Sequence, residues 1–196
     1  MQRALMALAT LRKSGWFDKA QGAPWLTYPA IRFLDGLDTS QRRALEFGSG
    51  ASTAWLNARF DDVLSIEHAP EWYAKSAGFP IVLRDPDGGP YHGAADSPYL
   101  EAGRVGAPWD VVLVDGMARV TCVEHIDDFV AADGLVVLDD TDLPELQPAR
   151  ESLIRDGFAA IDFWGFKPWL GIETCTSVYS RDFGKWLSSD QVQPLT

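Results

Sequence analysis

The chain has 196 residues, 46% of them hydrophobic, with eight tryptophans and a formal net charge of −11 from 17 basic and 28 acidic side chains. That apolar content excludes a disordered chain, and the length suits one domain with a full core. A surface this acidic gains nothing from counterion release, which argues against nucleic acid as a partner; the densest basic pair, Arg42-Arg43, reads as a solvated helix face.

Cys122 and Cys175 lie far apart, form neither a disulfide framework nor a metal spacing, and read as buried small residues. No run approaches the roughly 18 apolar residues of a membrane span. The apolar stretch from Ala4 to Leu11 runs into Arg12-Lys13, where a signal peptide would carry small residues and a cleavage site. The expectation is a soluble, cytoplasmic protein with no membrane partner.

In chain order, residues 3–14 read as a helix. Thr27 as cap and Pro29 in the first turn start a second, with Ala30, Ile31, Phe33, Leu34 and Leu37 on its apolar face. Strand, turn and helix then alternate. Strands are predicted at Arg43–Phe47, Asp62–Glu67, Phe79–Leu83, Trp109–Asp115 and Leu135–Asp139, and helices at Ser52–Phe60, Pro70–Ala77, Val120–Ala132 and Leu146–Asp156. Two late strands, Ala159–Trp164 and Thr174–Ser180, close the pattern. Near-continuous apolar strands alternating with helices predict a parallel sheet covered on both faces. The single domain divides into an N-terminal helical segment (1–40), a core (41–180) and a tail (181–196).

Asp85 to Pro108 breaks the rhythm. It is rich in glycine and proline, with at most a short helix near Tyr99 to Gly103. It reads equally as a substrate-side lid, with Tyr91 and His92 as contacts, or as a surface loop, and its composition favours mobility.

The first strand ends in Glu46-Phe47-Gly48-Ser49-Gly50-Ala51-Ser52-Thr53. In an open parallel sheet, ligands bind at the carboxyl ends of strands where strand order reverses. Gly48 and Gly50 allow a tight turn, and Ser52 or Thr53 can cap the helix. The third glycine of the dinucleotide fingerprint is missing, and Glu46 sets a negative charge where a pyrophosphate would be unwelcome. Both features count against a nicotinamide-dependent oxidoreductase and favour a positively charged, amino-acid-bearing ligand. The second strand ends in Ile66-Glu67-His68, placing Glu67 where a carboxylate can accept hydrogen bonds from both ribose hydroxyls. His68 reads as a loop residue beside it.

This strand–turn–helix–strand succession resembles the class I S-adenosylmethionine-dependent methyltransferases. Pro24-Trp25-Leu26-Thr27-Tyr28-Pro29-Ala30-Ile31, and Val114-Asp115-Gly116 followed by Arg119 and Cys122, resemble a group of small bacterial methyltransferase-like proteins. The resemblance implies a Rossmann-like α/β fold: a mostly parallel seven-stranded sheet with helices on both faces and a C-terminal antiparallel hairpin. It implies S-adenosylmethionine as cofactor, held by Glu46, Gly48, Ser49, Gly50, Ser52, Thr53, Glu67, His68, Asp85 and Asp115. Trp25 and Tyr28 close the pocket or belong to the core.

Asp115 ends the fourth strand and Asp139 and Asp140 the fifth, on the same edge. The arrangement resembles the metal site of catechol-type O-methyltransferases, so these three carboxylates are candidate Mg²⁺ ligands. Otherwise Asp115 alone lines the site, as the candidate catalytic residue, and Asp139-Asp140 cap a loop. Arg119 pairs with the aspartates or holds an anionic group. His125 reads as a packing or surface residue, and the aromatic run from Phe163 to Gly171 as a hydrophobic hairpin closure. The expected activity is methyl transfer to a small molecule, at oxygen; the alternative is an accessory protein that binds the cofactor without transferring methyl.

Overall fold

The computed structural model describes residues 22–168 and 170–187. The helix expected over 3–14 and most of the tail lie outside them. The described chain runs α1 (Tyr28–Asp35), β1 (Arg43–Phe47), α2 (Ala51–Asn57), β2 (Asp62–Glu67), α3 (Pro70–Lys75), β3 (Ile81–Leu83), α4 (Pro98–Arg104), β4 (Trp109–Val114), α5 (Arg119–Glu124), β5 (Val130–Leu138), α6 (Gln147–Arg155), β6 (Ala159–Phe166) and β7 (Glu173–Ser180). The strands form one sheet in the order β3-β2-β1-β4-β5-β7-β6. The first five are mutually parallel, and β7 runs antiparallel between β5 and β6.

Successive side chains of a strand point to opposite faces, and both faces are covered. Val112 and Val114 of β4 join Leu45, Phe47, Val136 and Leu138 beneath Tyr99, Leu100, Phe129 and Leu153. Val111 and Leu113 join Ala44, Val63, Leu135 and Val137 beneath Leu26, Leu34, Trp55 and Leu56. This double burial explains why β4 is apolar along almost its whole length.

The expected strands all form, with shifted ends. Two corrections to the element assignment follow: Arg42-Arg43 is no helix face, since Arg43 begins β1 and the pair is bound to Asp110 and Asp62, and residues 120–132 are not one helix. The helix there is short, a 3-10 turn covers Ile126–Asp128, and β5 begins at Val130. The Trp109 amide donates to the Phe129 carbonyl at 2.7 Å and Val130 pairs with Trp109, so the sheet claims residues whose periodicity looked helical. Thr27 precedes α1 as expected, but its hydroxyl donates to the Phe163 carbonyl at 2.9 Å and does not cap the helix.

Asp85 to Pro108 is not a free lid. The amides of Ala118, Arg119 and Val120 donate to the carbonyls of Gly89, Pro90 and Tyr91, binding the segment to the start of α5. The expected short helix becomes α4, capped by the Ser97 hydroxyl, and buries Tyr99, Leu100 and Gly103 against the β1 face. The glycines and prolines shape a compact layer, and burial of α4 anchors it.

Candidate functional site

The sheet order reverses between β1 and β4, which opens a crevice at their carboxyl ends. A cleft of about 340 Å³ lies there, lined among others by Gly48, Ser49, Gly50, Ser52, Glu67, His68, Asp115, Arg119, Asp140 and Lys167. Its floor is the meeting of two turns. A Cβ on Gly48 would approach the Gly116 nitrogen to 3.0 Å, and one on Gly116 would lie 2.4 Å from the Tyr99 hydroxyl. Gly48 also has φ +119°, a conformation L side chains rarely adopt. Both positions require glycine, and their bare backbones form the floor.

Glu46 lies beneath this floor, fully buried, outside the lining of the cleft. Its carboxylate accepts from the Thr53 hydroxyl at 2.8 Å and from the hydroxyls of Ser52 and Ser65. Thr53 in turn accepts the Gly50 amide at 3.0 Å, so Glu46 braces the glycine turn through one intermediary. Burial pushes the Glu46 carboxyl up to about 7 against the opposing pull of these hydroxyls. The cap expected of Ser52 or Thr53 is supplied by Thr53.

Glu67, at the end of β2, does line the cleft. One of its oxygens accepts the amides of His68 and Ala69 at 2.7 and 2.8 Å and faces His68 Nδ1 at 2.9 Å. The other accepts the Ser49 hydroxyl at 2.6 Å. These contacts fix the orientation of Glu67 at the edge of the cleft. Trp25 and Trp72 meet edge to face above it, with centroids 6.4 Å apart, and both line the cleft. Asp85 does not reach it: its carboxylate accepts the Asp87 amide in a local turn.

On the other side, candidate ligand oxygens of Asp115, Asp139 and Asp140 all lie within 4.8 Å of one another. The convergence anticipated from sequence is real, but two cations already occupy it. Lys167 Nζ contacts both Asp139 and Asp140. Arg119 bridges Asp115 and Asp140 at 3.2 Å each and donates to the carbonyls of Asp115 and Gly116 at 3.0 Å. The Thr176 hydroxyl completes Asp139 at 2.6 Å. The donor set therefore does not fit Mg²⁺, which would stand beside an ammonium and a guanidinium that already hold its ligands.

Among the described residues three carboxyl groups face two cations, so the cluster has one carboxyl more than it has cations. Burial raises the Asp139 carboxyl, as does neighbouring Asp140, against the pull of Lys167. Burial also works on Asp140, but Lys167 and Arg119 outweigh it and hold that carboxyl low. Asp115 is raised well above the usual range by burial and by the charge of Asp139, despite Arg119. Of the two raised carboxyls it is the more open to the cleft, 25% exposed against 1% for Asp139. Lys167 is held protonated, because Asp139 and Asp140 outweigh the burial that disfavours its charge.

The cleft brings together Gly48, Ser49, Gly50, Ser52, Glu67, His68, Asp115, Asp139 and Asp140 from the sequence reading, and leaves out Glu46, Thr53 and Asp85. Four lining residues went without a site role in it: Ala51, Trp72, Gly116 and Lys167. Lys167 had one visible mark, a single charge between Phe166 and Pro168 in an aromatic run. Tyr28 is only partly buried and packs with the core, and His125 sits near Asp128 at 3.7 Å, away from the cleft.

The sheet order, the crevice and the antiparallel β5-β7-β6 portion define the Rossmann-like fold of class I S-adenosylmethionine-dependent methyltransferases. No protein-family model matches the sequence, and no curated protein matches it. Solved structures share the fold. An rRNA methylase from Streptococcus thermophilus is 13% identical with a TM-score of 0.54, over 81% of this chain and 100% of that one. CalS10, an amino pentose methyltransferase from Micromonospora echinaspora solved with S-adenosylmethionine bound, is 15% identical with a TM-score of 0.53, over 90% and 97%. Precorrin-6y C5,15-methyltransferase from Geobacter metallireducens is 16% identical with a TM-score of 0.51, over 81% and 91%. At these identities the likeness is one of fold.

Proposed function

We propose that the protein is a cytoplasmic, S-adenosylmethionine-dependent methyltransferase that methylates an oxygen of a small molecule. One observation carries the reading: Glu67 at the end of β2 and Asp115 at the end of β4 line a single cleft across a floor of bare glycine backbone. Both cations in that cleft, Arg119 and Lys167, are already paired. A diphosphate would meet uncompensated carboxylate there, whereas a sulfonium and an ammonium would be welcomed.

The residues fit that cofactor. Gly48, Ser49, Gly50 and Gly116 would accept its amino-acid end, and Glu67 would hold the ribose hydroxyls, the Ser49 hydroxyl turning aside to share the carboxylate. When bound, S-adenosylmethionine supplies a methyl group on a positively charged sulfur, transferred in line to the acceptor with cleavage of the carbon–sulfur bond. Asp115 would take the proton of the acceptor hydroxyl; burial and the charge of Asp139 push its carboxyl up, which raises its affinity for that proton. Arg119 fixes the Asp115 carboxylate for that task. The net charge of −11 supports a small acceptor over a polyanion.

Calorimetry with S-adenosylmethionine, S-adenosylhomocysteine and NAD tests the binding. Saturable heats are expected for the two sulfur nucleosides and none for NAD; the reverse pattern sinks the proposal. Transfer of a labelled methyl group to pooled metabolites tests the chemistry, and tight cofactor binding without any transfer would mark a binding-only protein.

A further inference from the structure

We infer that Lys167 is the resident cation of this cleft, standing where a divalent metal would otherwise bind and keeping the site metal-free. Asp115, Asp139 and Asp140 present ligand oxygens within 4.8 Å of one another, a spacing that a small divalent ion could bridge. Their arrangement is organised around an ammonium instead. Lys167 is 7% exposed and contacts one oxygen each of Asp139, itself 1% exposed, and Asp140. The Thr174 hydroxyl stands 3.2 Å from the same Asp140 oxygen, and the Thr176 hydroxyl takes the other oxygen of Asp139. Arg119 covers the remaining Asp140 oxygen and Asp115.

A divalent ion needs six or so oxygen ligands at about 2.0–2.6 Å. To enter here it would have to expel a buried ammonium from two carboxylates and stand beside a guanidinium, losing two ion pairs that the fold has already organised. An ammonium carries three protons, of which Asp139 and Asp140 take two. Lys167 lines the cleft and contacts no third acceptor among the described residues, so the third proton can serve a group bound there. Taken with the proposed transferase, on which this last step rests, that N–H would donate a hydrogen bond to the acceptor oxygen. It would steady the negative charge that develops as Asp115 takes the hydroxyl proton, the task a metal would otherwise perform.

The exclusion of metal is tested without any acceptor. Mn²⁺ added to the wild-type protein should leave the electron paramagnetic resonance signal of free Mn²⁺ unchanged and the melting temperature unmoved. Lys167→Met keeps the aliphatic stem and frees the carboxylates. It should bind one Mn²⁺ at least about tenfold more tightly than wild type and be stabilised by it on heating. Adding Asp140→Asn to that variant should abolish the uptake, and Lys167→Arg should remain metal-free. Uptake of Mn²⁺ by the wild type at the same carboxylates would overturn the inference. So would a Lys167→Met protein that gains no affinity, or a Lys167→Arg protein that gains as much as Lys167→Met. S-adenosylmethionine calorimetry on the wild type, with chelator present, keeps the two proposals apart: silence there defeats the transferase reading and leaves the Mn²⁺ result standing.

Discussion

On the β1–β2 side of the cleft, carboxylates are held by hydroxyls and backbone amides from nearby in the chain. Ser52 and Thr53 reach Glu46 across six and seven residues, Ser49 reaches Glu67 across 18, and His68 and Ala69 are immediate neighbours of Glu67. On the β4–β5–β7 side, carboxylates are held by charges and by distant strands. Lys167 reaches Asp139 across 28 residues and Thr176 does so across 37. Of the two carboxyl groups on the first side only Glu67 reaches the cleft, where hydroxyl, amide and imidazole contacts orient it. Opposite charges nearly cancel on the second side, leaving a rigid cluster with one carboxylate, Asp115, in excess. In the proposed reaction the first side would bind the cofactor and the second would handle the acceptor's proton.

The largest effect that bears on this contrast is expected at the seam between the two sides. Gly116→Ala would place a Cβ 2.4 Å from the Tyr99 hydroxyl and 2.8 Å from the Gly48 nitrogen, whose amide is committed to the Ile66 carbonyl. We expect a loss of about 2–4 kcal/mol in denaturant unfolding. A change within experimental error would mean that the turns are not locked together.

Next comes Glu46→Gln. The folded Glu46 carboxyl, at about 7, holds a proton that the unfolded chain releases above its ordinary value of 4.5. Stability should therefore fall as pH rises from about 4.5 to 7, by up to about 3 kcal/mol, and flatten above. Glutamine keeps a neutral group there and should remove that slope. Parallel pH-dependent slopes for the two proteins would show that Glu46 is already ionised at low pH and that its three hydroxyl partners outweigh burial.

Glu67→Ala removes the carboxylate that faces the cleft. The affinity for S-adenosylmethionine should drop about 10–100-fold by calorimetry, the range for losing hydrogen bonds to a charged group. Affinity unchanged by this substitution would separate Glu67 from ligand binding and leave it as a brace for His68 and Ala69. The smallest effect is expected at Asp85, which stands outside the cleft in a local turn. Asp85→Ala should shift cofactor affinity by less than about twofold, or 0.4 kcal/mol; a large loss would extend the site beyond the present cleft.

The sheet was readable from the chain because strands such as β4 and the second half of β5 are buried on both faces and so appear as nearly continuous apolar runs. Where burial and periodicity conflict, reading by pattern fails: Phe129 and Val130 continue an apparently helical pattern, yet the Phe129 carbonyl accepts the Trp109 amide and Val130 pairs with Trp109 to begin β5. Asp85 to Pro108 looked mobile because glycine and proline report turns and say nothing of whether the turns pack; α4 beneath Phe47 settles that.

The sequence by itself determined the glycine turn, Glu67 at the end of β2, and the carboxylates after β4 and β5, because each is a strand-end feature and strand ends follow from local pattern. Only the tertiary structure decided which of them face the cleft. Glu46 turned beneath the floor because three hydroxyls from α2 and β2 surround it. Asp139 and Asp140 became ion-pair partners because the β6–β7 hairpin folds back beside β5 and delivers Lys167 from 27 residues away. A charge arriving from so far along the chain leaves no periodic trace, and its partners exist only once the sheet has closed.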